Sequence, residues 1–231
     1  MWFKMIILTG ASGGIGSLIL EDLSKIDHVI AIGNSRLPET KKLSNVASYQ
    51  IDLSSEKEID SFLKKVESKM SRITLIHAAA VSIDKLAADL TSAEWNTVLD
   101  INLKSSFLMS KKLLRKMISE KWGRIIHISS IVGNNGTNGT IAYSTSKTGL
   151  VGMSRVLSKE YGWFGITSNI LIPGYLNTGL ISSLSKEAKS KILKKIPSNK
   201  FGDPVNIVNA VEFLIKSDYV NGASINIDGG Y

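Results

Sequence analysis

Short apolar runs alternate with longer stretches of helical spacing along the whole chain. "MIILT" (5–9), "VIAIG" (29–33), "ASYQID" (47–52), "ITLIHA" (73–78), "RIIHISS" (124–130), "ITSNILIP" (166–173) and "ASINID" (223–228) predict strands. The near-continuous apolar ones suit a sheet covered on both faces, where both alternating sets of side chains are buried. Between them, 15–25, 56–70, 103–121 and 143–161 predict helices. In the last, Leu150, Met153, Leu157 and Tyr161 recur at helical spacing and Gly162 ends the run. Strands alternating with helices predict right-handed crossovers and an α/β fold: a doubly wound parallel sheet of about seven strands with helices on both faces. No linker, repeat or charge block interrupts the pattern, so residues 1–231 are expected to form a single domain. No stretch approaches the roughly 18 apolar residues of a membrane span, and the apolar opening at 1–8 is too short for a signal peptide. A cytoplasmic location and no membrane partner are expected.

The first strand-to-helix junction adds chemistry to this pattern. In "LTGASGGIGSLIL" (8–20), Gly10, Gly14 and Gly16 are spaced G-x-x-x-G-x-G. Glycines there let the backbone turn tightly and approach a pyrophosphate, which the helix N-terminus attracts. Thr9, Gly10, Ser12, Gly13, Gly14, Ile15 and Gly16 are therefore candidate cofactor contacts. NAD-preferring sites end the second strand with an acid that holds the ribose 2′-hydroxyl. Here that place reads Gly33, Asn34, Ser35, Arg36, and the first acid is Glu39. A guanidinium pairs with a 2′-phosphate that a carboxylate would repel. NADP (NADPH) is thus expected rather than NAD. Asp52 follows the third strand and is placed to accept from the adenine amino group; its alternative role is an N-cap on the next helix. Leu53 beside it is a further candidate contact.

Composition narrows the chemistry. The chain has no cysteine, which removes disulfides, thiolate chemistry and Cys-based metal sites, and its three histidines are dispersed, so no metal is expected. The formal net charge is +8, with local excesses in "KEAKSKILKK" (186–195) and "KKLLRKMISEKWGR" (111–124). Such charge attracts an anionic partner, for example a nucleotide, coenzyme A or an acidic carrier protein, or simply solvates helix faces. No base-stacking aromatics interleave with these lysines, so nucleic acid is not an expected partner.

"SSIVGNNGTNGTIAYSTSK" (129–147) carries a second constellation. Tyr143 and Lys147 stand at i and i+4 and share one helix face. A free tyrosine has a pKa of about 10, and a nearby ammonium is expected to lower it toward working pH. Ser130, at the end of a buried strand, can reach the same point with its hydroxyl, across a flexible 133–139 loop. Ser129 is expected to pack rather than react.

Together these features resemble the short-chain dehydrogenase/reductase family, over essentially the whole chain. The resemblance implies a Rossmann-type fold and a catalytic tetrad of Asn102, Ser130, Tyr143 and Lys147. Lys147 would also hold the nicotinamide ribose, and Asn102 would position a water. It implies further cofactor contacts from Ala78, Ala79 and Ala80, and from Pro173, Gly174 and Thr178 in "PGYLNT". The sequence departs from the family at "HAAA" (77–80), where Asn-Asn-Ala-Gly is common; Ala80 there is expected to cost backbone freedom, and His77 to bond across strands. Within the family, 178–203 is most similar to 3-oxoacyl-[acyl-carrier-protein] reductases of fatty acid biosynthesis. That implies a ketone carried on an acyl thioester, on acyl carrier protein or coenzyme A. Leu180, Ile181 and Leu184 would line an acyl channel or merely seat the lid helix. Lys121 and Arg124, expected at the rim of the site, suit an acidic carrier, whereas Phe164 stands where those reductases often carry another basic residue. The alternatives are a family member acting on a sugar, polyol or other small ketone, and a cofactor-binding protein without turnover. A homotetramer or homodimer is implied, pairing helices 103–121 and 143–161, with Trp163 and Phe164 buried against a neighbour.

Overall fold

The side chains of the first strand sort themselves into two cores. In β1 (Phe3–Thr9), Met5 and Ile7 join the cluster on one face of the sheet, and Ile6 and Leu8 join the cluster on the other. This is the period-two alternation of an extended chain buried on both faces. The structure is a computed structural model that describes residues 3–40, 43–178, 181 and 184–231. The remaining strands are β2 (His28–Gly33), β3 (Val46–Gln50), β4 (Met70–His77), β5 (Gly123–Ile128), β6 (Ile166–Pro173) and β7 (Ser224–Ile227). Their order is β3-β2-β1-β4-β5-β6-β7, with every neighbouring pair parallel. The winding direction reverses between β1 and β4, and the C-terminal strand ends there open a crevice, the usual place for a ligand in such sheets.

The described helices are α1 (Gly14–Ile26), α2 (Glu56–Val66), α3 (Ser92–Leu99), α4 (Ser105–Glu120), α5 (Ile131–Asn135), α6 (Ile141–Tyr161), α7 (Lys186–Leu193) and α8 (Val205–Lys216). α1 and α8 cover one face, where Ile19, Leu20 and Leu23 pack with Ile207, Val211 and Leu214. α2 and α4 cover the other through Ile59, Phe62, Leu108, Met109 and Met117. α6 packs beside them through Leu150 and Leu157.

Three helix boundaries differ from the pattern-based ones, each for a local reason. The run at 103–121 begins earlier, because Thr91 and Glu94 form a reciprocal capping box that starts α3. Only Val98 of α3 is buried, so hydrophobic spacing gives no sign of it. A π turn (Asp100–Lys104) joins α3 to α4 without a break. The run at 56–70 ends at Val66, followed by a 3-10 turn (Glu67–Lys69), because fully buried Met70 already belongs to β4. The loop from 133 begins inside α5, which Ser130 caps.

Candidate active site

The glycine loop is built around two close approaches. Gly10 has φ +70°, and a Cβ there would lie 2.6 Å from the Cα of Ala79. At Gly16 a Cβ would lie 2.3 Å from the carbonyl oxygen of Gly10. No side chain fits at either point, so the loop rests directly on the end of β4 and α1 rests on the loop. Thr9 fixes the same junction: its buried hydroxyl accepts the N–H groups of Ala78 and Ala79, each at 3.2 Å. Above Gly13 and Gly14, in contrast, no atom lies within 4 Å of a built Cβ. Gly13 caps α1 without a side-chain hydrogen bond, and the first turn holds no acid. The helix therefore offers its first N–H groups to an open crevice, which fits the diphosphate of a dinucleotide.

At the adenine end, Asn34, Ser35 and Arg36 are exposed. The Arg36 guanidinium lies over the loop, donating to the Ser12 carbonyl from Nε at 2.9 Å and Nη2 at 2.6 Å. Two of its five N–H groups are used there, and three remain for a phosphate. Asp52 is not the cap of α2; Ser55 is. The Asp52 carboxylate instead accepts from the backbone and hydroxyl of Ser54 at 2.9 and 2.8 Å. Leu53 is only 6% exposed within the core, which leaves its backbone alone to meet a ligand. Ile15 is half-buried against the α1–α8 core.

Across the crevice, the first turns of α6 carry Tyr143 and Lys147. Lys147 is buried, and its Nζ donates to the Ile128 carbonyl at 2.8 Å while standing 5.6 Å from the Tyr143 ring centre. Burial holds its pKa down to about 8. The expected lowering of the phenol by this ammonium does not occur. Burial raises Tyr143, opposed by a hydrogen bond from Ser130, and the Asp84 carboxylate raises it further. The physical reason is that Lys147 is directed at a backbone carbonyl and is itself desolvated. Tyr143 consequently stays protonated at neutral pH.

Ser130 follows β5, accepts the Val132 N–H at 3.2 Å, and hydrogen-bonds the Tyr143 phenol. Ser129 faces the other way, donating to the Lys147 carbonyl at 3.0 Å. Asn102 lies in the π turn, which rotates it inward. Its Oδ1 accepts the Val81 N–H at 2.8 Å, and its Nδ2 donates to the Val81 carbonyl at 2.9 Å and to Ser146 at 3.0 Å. Both amide N–H groups are thus used, leaving the side chain no donor with which to hold a water. Ser146 passes the connection on, donating to the Tyr143 carbonyl at 2.7 Å. This fully buried serine went unnoticed in the sequence, although its place three residues after Tyr143 puts it on the helix face turned to Asn102.

Pro173 ends β6 and Gly174 follows it, its N–H donating to the Ile227 carbonyl at 3.0 Å. Thr178 is half-buried beyond them. Of the three candidate channel residues, Ile181 is buried, Leu184 is half-buried and Leu180 lies outside the described residues. Ala80 adopts no left-handed conformation, so its replacement of a glycine costs nothing in backbone strain. The His77 hydrogen bond runs not across strands but to Ser110 of α4, at 3.0 Å, and what reaches the neighbouring strand is its ring, stacked on His127 with centres 4.9 Å apart. Burial holds both imidazoles neutral, His127 down to about 3.

Lys121 and Arg124 are not at the rim. Arg124 stands at the start of β5, six residues and roughly 20 Å of strand from Ser130, and Lys121, nine residues away, ends α4 just before it. Sequence proximity misleads here because a strand separates the two ends of the run. There the Arg124 guanidinium lies 4.7 Å and that of Arg72 4.9 Å from the Trp122 ring centre, beside a cavity of about 510 Å³. Trp163 is 95% exposed, but Phe164 packs into its own core. Among the described residues no cluster of His, Asp or Glu could hold a metal, and no helix is long and apolar enough to cross a membrane.

A phenol, a hydroxyl and a buried amine facing a glycine-lined helix terminus define a doubly wound oxidoreductase that works with a nicotinamide dinucleotide. The short chain dehydrogenase family model matches residues 4–189, and the chain belongs to that family. Among similar proteins, the 3-oxoacyl-[acyl-carrier-protein] reductase of Rickettsia felis is 36% identical, aligning with 98% of this chain and 96% of its own. That of Buchnera aphidicola subsp. Schizaphis graminum is 37% identical over the same shares. A solved structure of a proposed gluconate dehydrogenase from Agrobacterium tumefaciens superposes with TM-score 0.91 at 26% identity, covering 98% of this chain and 95% of that one.

Proposed function

We propose that this protein is an NADPH-dependent reductase of 3-oxoacyl thioesters, with Tyr143 as the proton donor. The observation that carries the reading is the placement of the phenol: Tyr143, protonated at neutral pH, meets the Ser130 hydroxyl and stands beside buried Lys147, across the crevice from the glycine loop. Bound in the crevice, the dinucleotide would supply the hydride to the ketone carbon. The chain's own residues supply the rest. Ser130 hydrogen-bonds the substrate oxygen, Tyr143 gives that oxygen its proton, and buried Lys147, titrating near 8, stands beside the ring as the next proton holder. Ser146 and Asn102 fix the start of α6 so that this geometry persists. Gly10, Ser12, Gly13 and Gly14 would hold the diphosphate, Asp52 the adenine, and Arg36 the 2′-phosphate. The thioester assignment draws on the reductases that share a third of this chain's residues along nearly its whole length.

A second reading, a polyol or sugar substrate, is favoured by the gluconate relative and by Asp84, an exposed carboxylate near Tyr143 that could accept from substrate hydroxyls. Assembly through α4 and α6 is supported by exposed Phe107 and Val156 on those helices. NADPH oxidation at 340 nm decides the substrate class, tested against acetoacetyl thioesters, sugars and simple ketones. Turnover of the thioesters alone is the expected result; NADPH oxidation with sugars alone, or NADP+ reduction with polyols alone, would replace it with the second reading. Asn34→Asp should shift the cofactor preference toward NADH by repelling the 2′-phosphate.

A further inference from the structure

Helix α7 carries charge that the chemistry above does not use. Residues 186–195 hold five lysines against one acid, Glu187, whose carboxylate turns back onto its own backbone N–H and Ser185. Lys186 and Lys191 on the helix and Lys194 and Lys195 in the turn after it are exposed, while Ala188, Lys189, Ile192 and Leu193 are half-buried. The segment thus presents four exposed ammonium groups to solvent. Among the described residues none of these four lysines is paired with a carboxylate.

Its place is fixed by two ties. Leu176 bridges to Gly202, and the Ser198 N–H donates to the Gly229 carbonyl at 3.1 Å, with Ile196 buried beneath. The segment therefore belongs to the β6 side of the crevice, and α7 begins eight residues after Thr178. The loop after β4, on the other flank of β5, presents the exposed acids Asp84 and Asp89. The β6 side of the mouth is thus basic and the loop opposite is net acidic, its Lys85 being paired with Glu94, while Lys121 and Arg124 lie at the far end of β5.

We propose that the exposed lysines of α7 and of the turn that follows it, Lys186, Lys191, Lys194 and Lys195, dock an acidic carrier protein that presents the thioester to the crevice. The inference rests on the thioester reading, and it adds which surface receives the carrier. Rim charges of this kind act mainly on association, through long-range attraction that salt screens.

The test is the full-length Lys191→Glu/Lys194→Glu/Lys195→Glu variant, with the corresponding Gln variant as a milder companion. Both are measured with one 3-oxoacyl group carried on an acidic acyl carrier protein, on coenzyme A, and on neutral N-acetylcysteamine. Thermal melts and NADPH affinity, both unchanged, confirm the fold. The expected result is a drop in kcat/KM of at least about tenfold for the carrier-borne substrate in the Glu variant, a smaller drop in the Gln variant, and a flatter salt dependence. The neutral thioester should stay within about twofold. An unchanged carrier reaction overturns the proposal, as does an equal fall for all three substrates, which would make α7 a seat for the acyl chain. An equal fall for carrier and coenzyme A, sparing the neutral thioester, assigns the lysines to the shared phosphate and overturns the carrier. If wild-type protein reduces none of the three, the thioester reading itself falls and takes the proposal with it.

Discussion

Strand β5 has a buried cation at each end, and the two are held very differently. At its start, the Arg124 guanidinium donates to three backbone carbonyls, those of Gly123, Gly165 and Ile215, at 2.9, 3.1 and 3.2 Å. Beyond its other end, Lys147 donates to one, that of Ile128. Burial disfavours the charge in both, but Arg124 has replaced most of its lost water with protein dipoles and Lys147 has not. Arg124 is a clamp joining β5 to the chain after α6 and to the end of α8. Lys147 has donors to spare beside a phenol. Basic residues around a cavity therefore do not mark a site by themselves; a buried donor left short of partners, next to a group that can exchange protons, does.

The contrast can be broken at several points. The largest effect is expected at the working end: Tyr143→Phe should lower turnover by roughly 10²–10⁴-fold, with the melt and NADPH binding preserved. A rate within a few-fold of wild type in steady-state kinetics would remove Tyr143 as the proton donor. Next, Lys147→Met should abolish most turnover yet leave the fold as stable or more so. A pKa held down from 10.5 to about 8 means the folded state resists the charged form, at a cost on the order of 3 kcal/mol at neutral pH. A melt well below wild type would show that the Ile128 bond outweighs this desolvation.

Arg124→Met should do the reverse. Losing three bonds to buried carbonyls should destabilise by about 2 kcal/mol, a melting drop of roughly 4–8 °C for a chain of this length, with kcat changed less than about twofold at a temperature where the variant is folded. A rate loss without a stability loss would place Arg124 in the chemistry after all. The smallest effect concerns the stacked imidazoles. Their folded pKa values lie below the unfolded 6.5, so below that pH the unfolded chain binds protons the folded one refuses. Stability should be complete above about 6.5 and decline as pH falls toward the folded value of about 3 for His127. In denaturant melts at pH 7 and pH 5, His77→Asn should lose less than wild type; equal losses would exonerate the pair.

Much of this arrangement is legible in the sequence because it depends on local spacing. Buried strands read as apolar runs, and the glycine loop reads as a junction between a strand and a helix. The Tyr143 and Lys147 pair reads as one face of a helix. What escapes is set by partners far along the chain. Asn102 owes its orientation to Val81, 21 residues away, and to a π turn that no hydrophobic period announces. The Lys147 ammonium is drawn from the phenol by Ile128, 19 residues earlier. His77 and His127 meet only because β4 and β5 pair in register at that residue. Lys121 and Arg124 sit close to Ser130 in sequence, but an extended strand carries them to the opposite end of the sheet.

The π turn also fixes how long this part of the chain can be. Residues 92–120 run as one continuous helical rod with a single widened turn at 100–104. Deleting Ile101 alone would let that turn relax to ordinary α geometry with little change of phase, but a second residue removed rotates everything beyond it by about 100°. Either Val98 on α3 or the Leu108, Met109 and Met117 face of α4 would then point away from its partner surface. Insertions face the same arithmetic in the opposite sense. Among variants of this protein, changes in length should therefore accumulate in the loops on either side of the rod and be missing from within it.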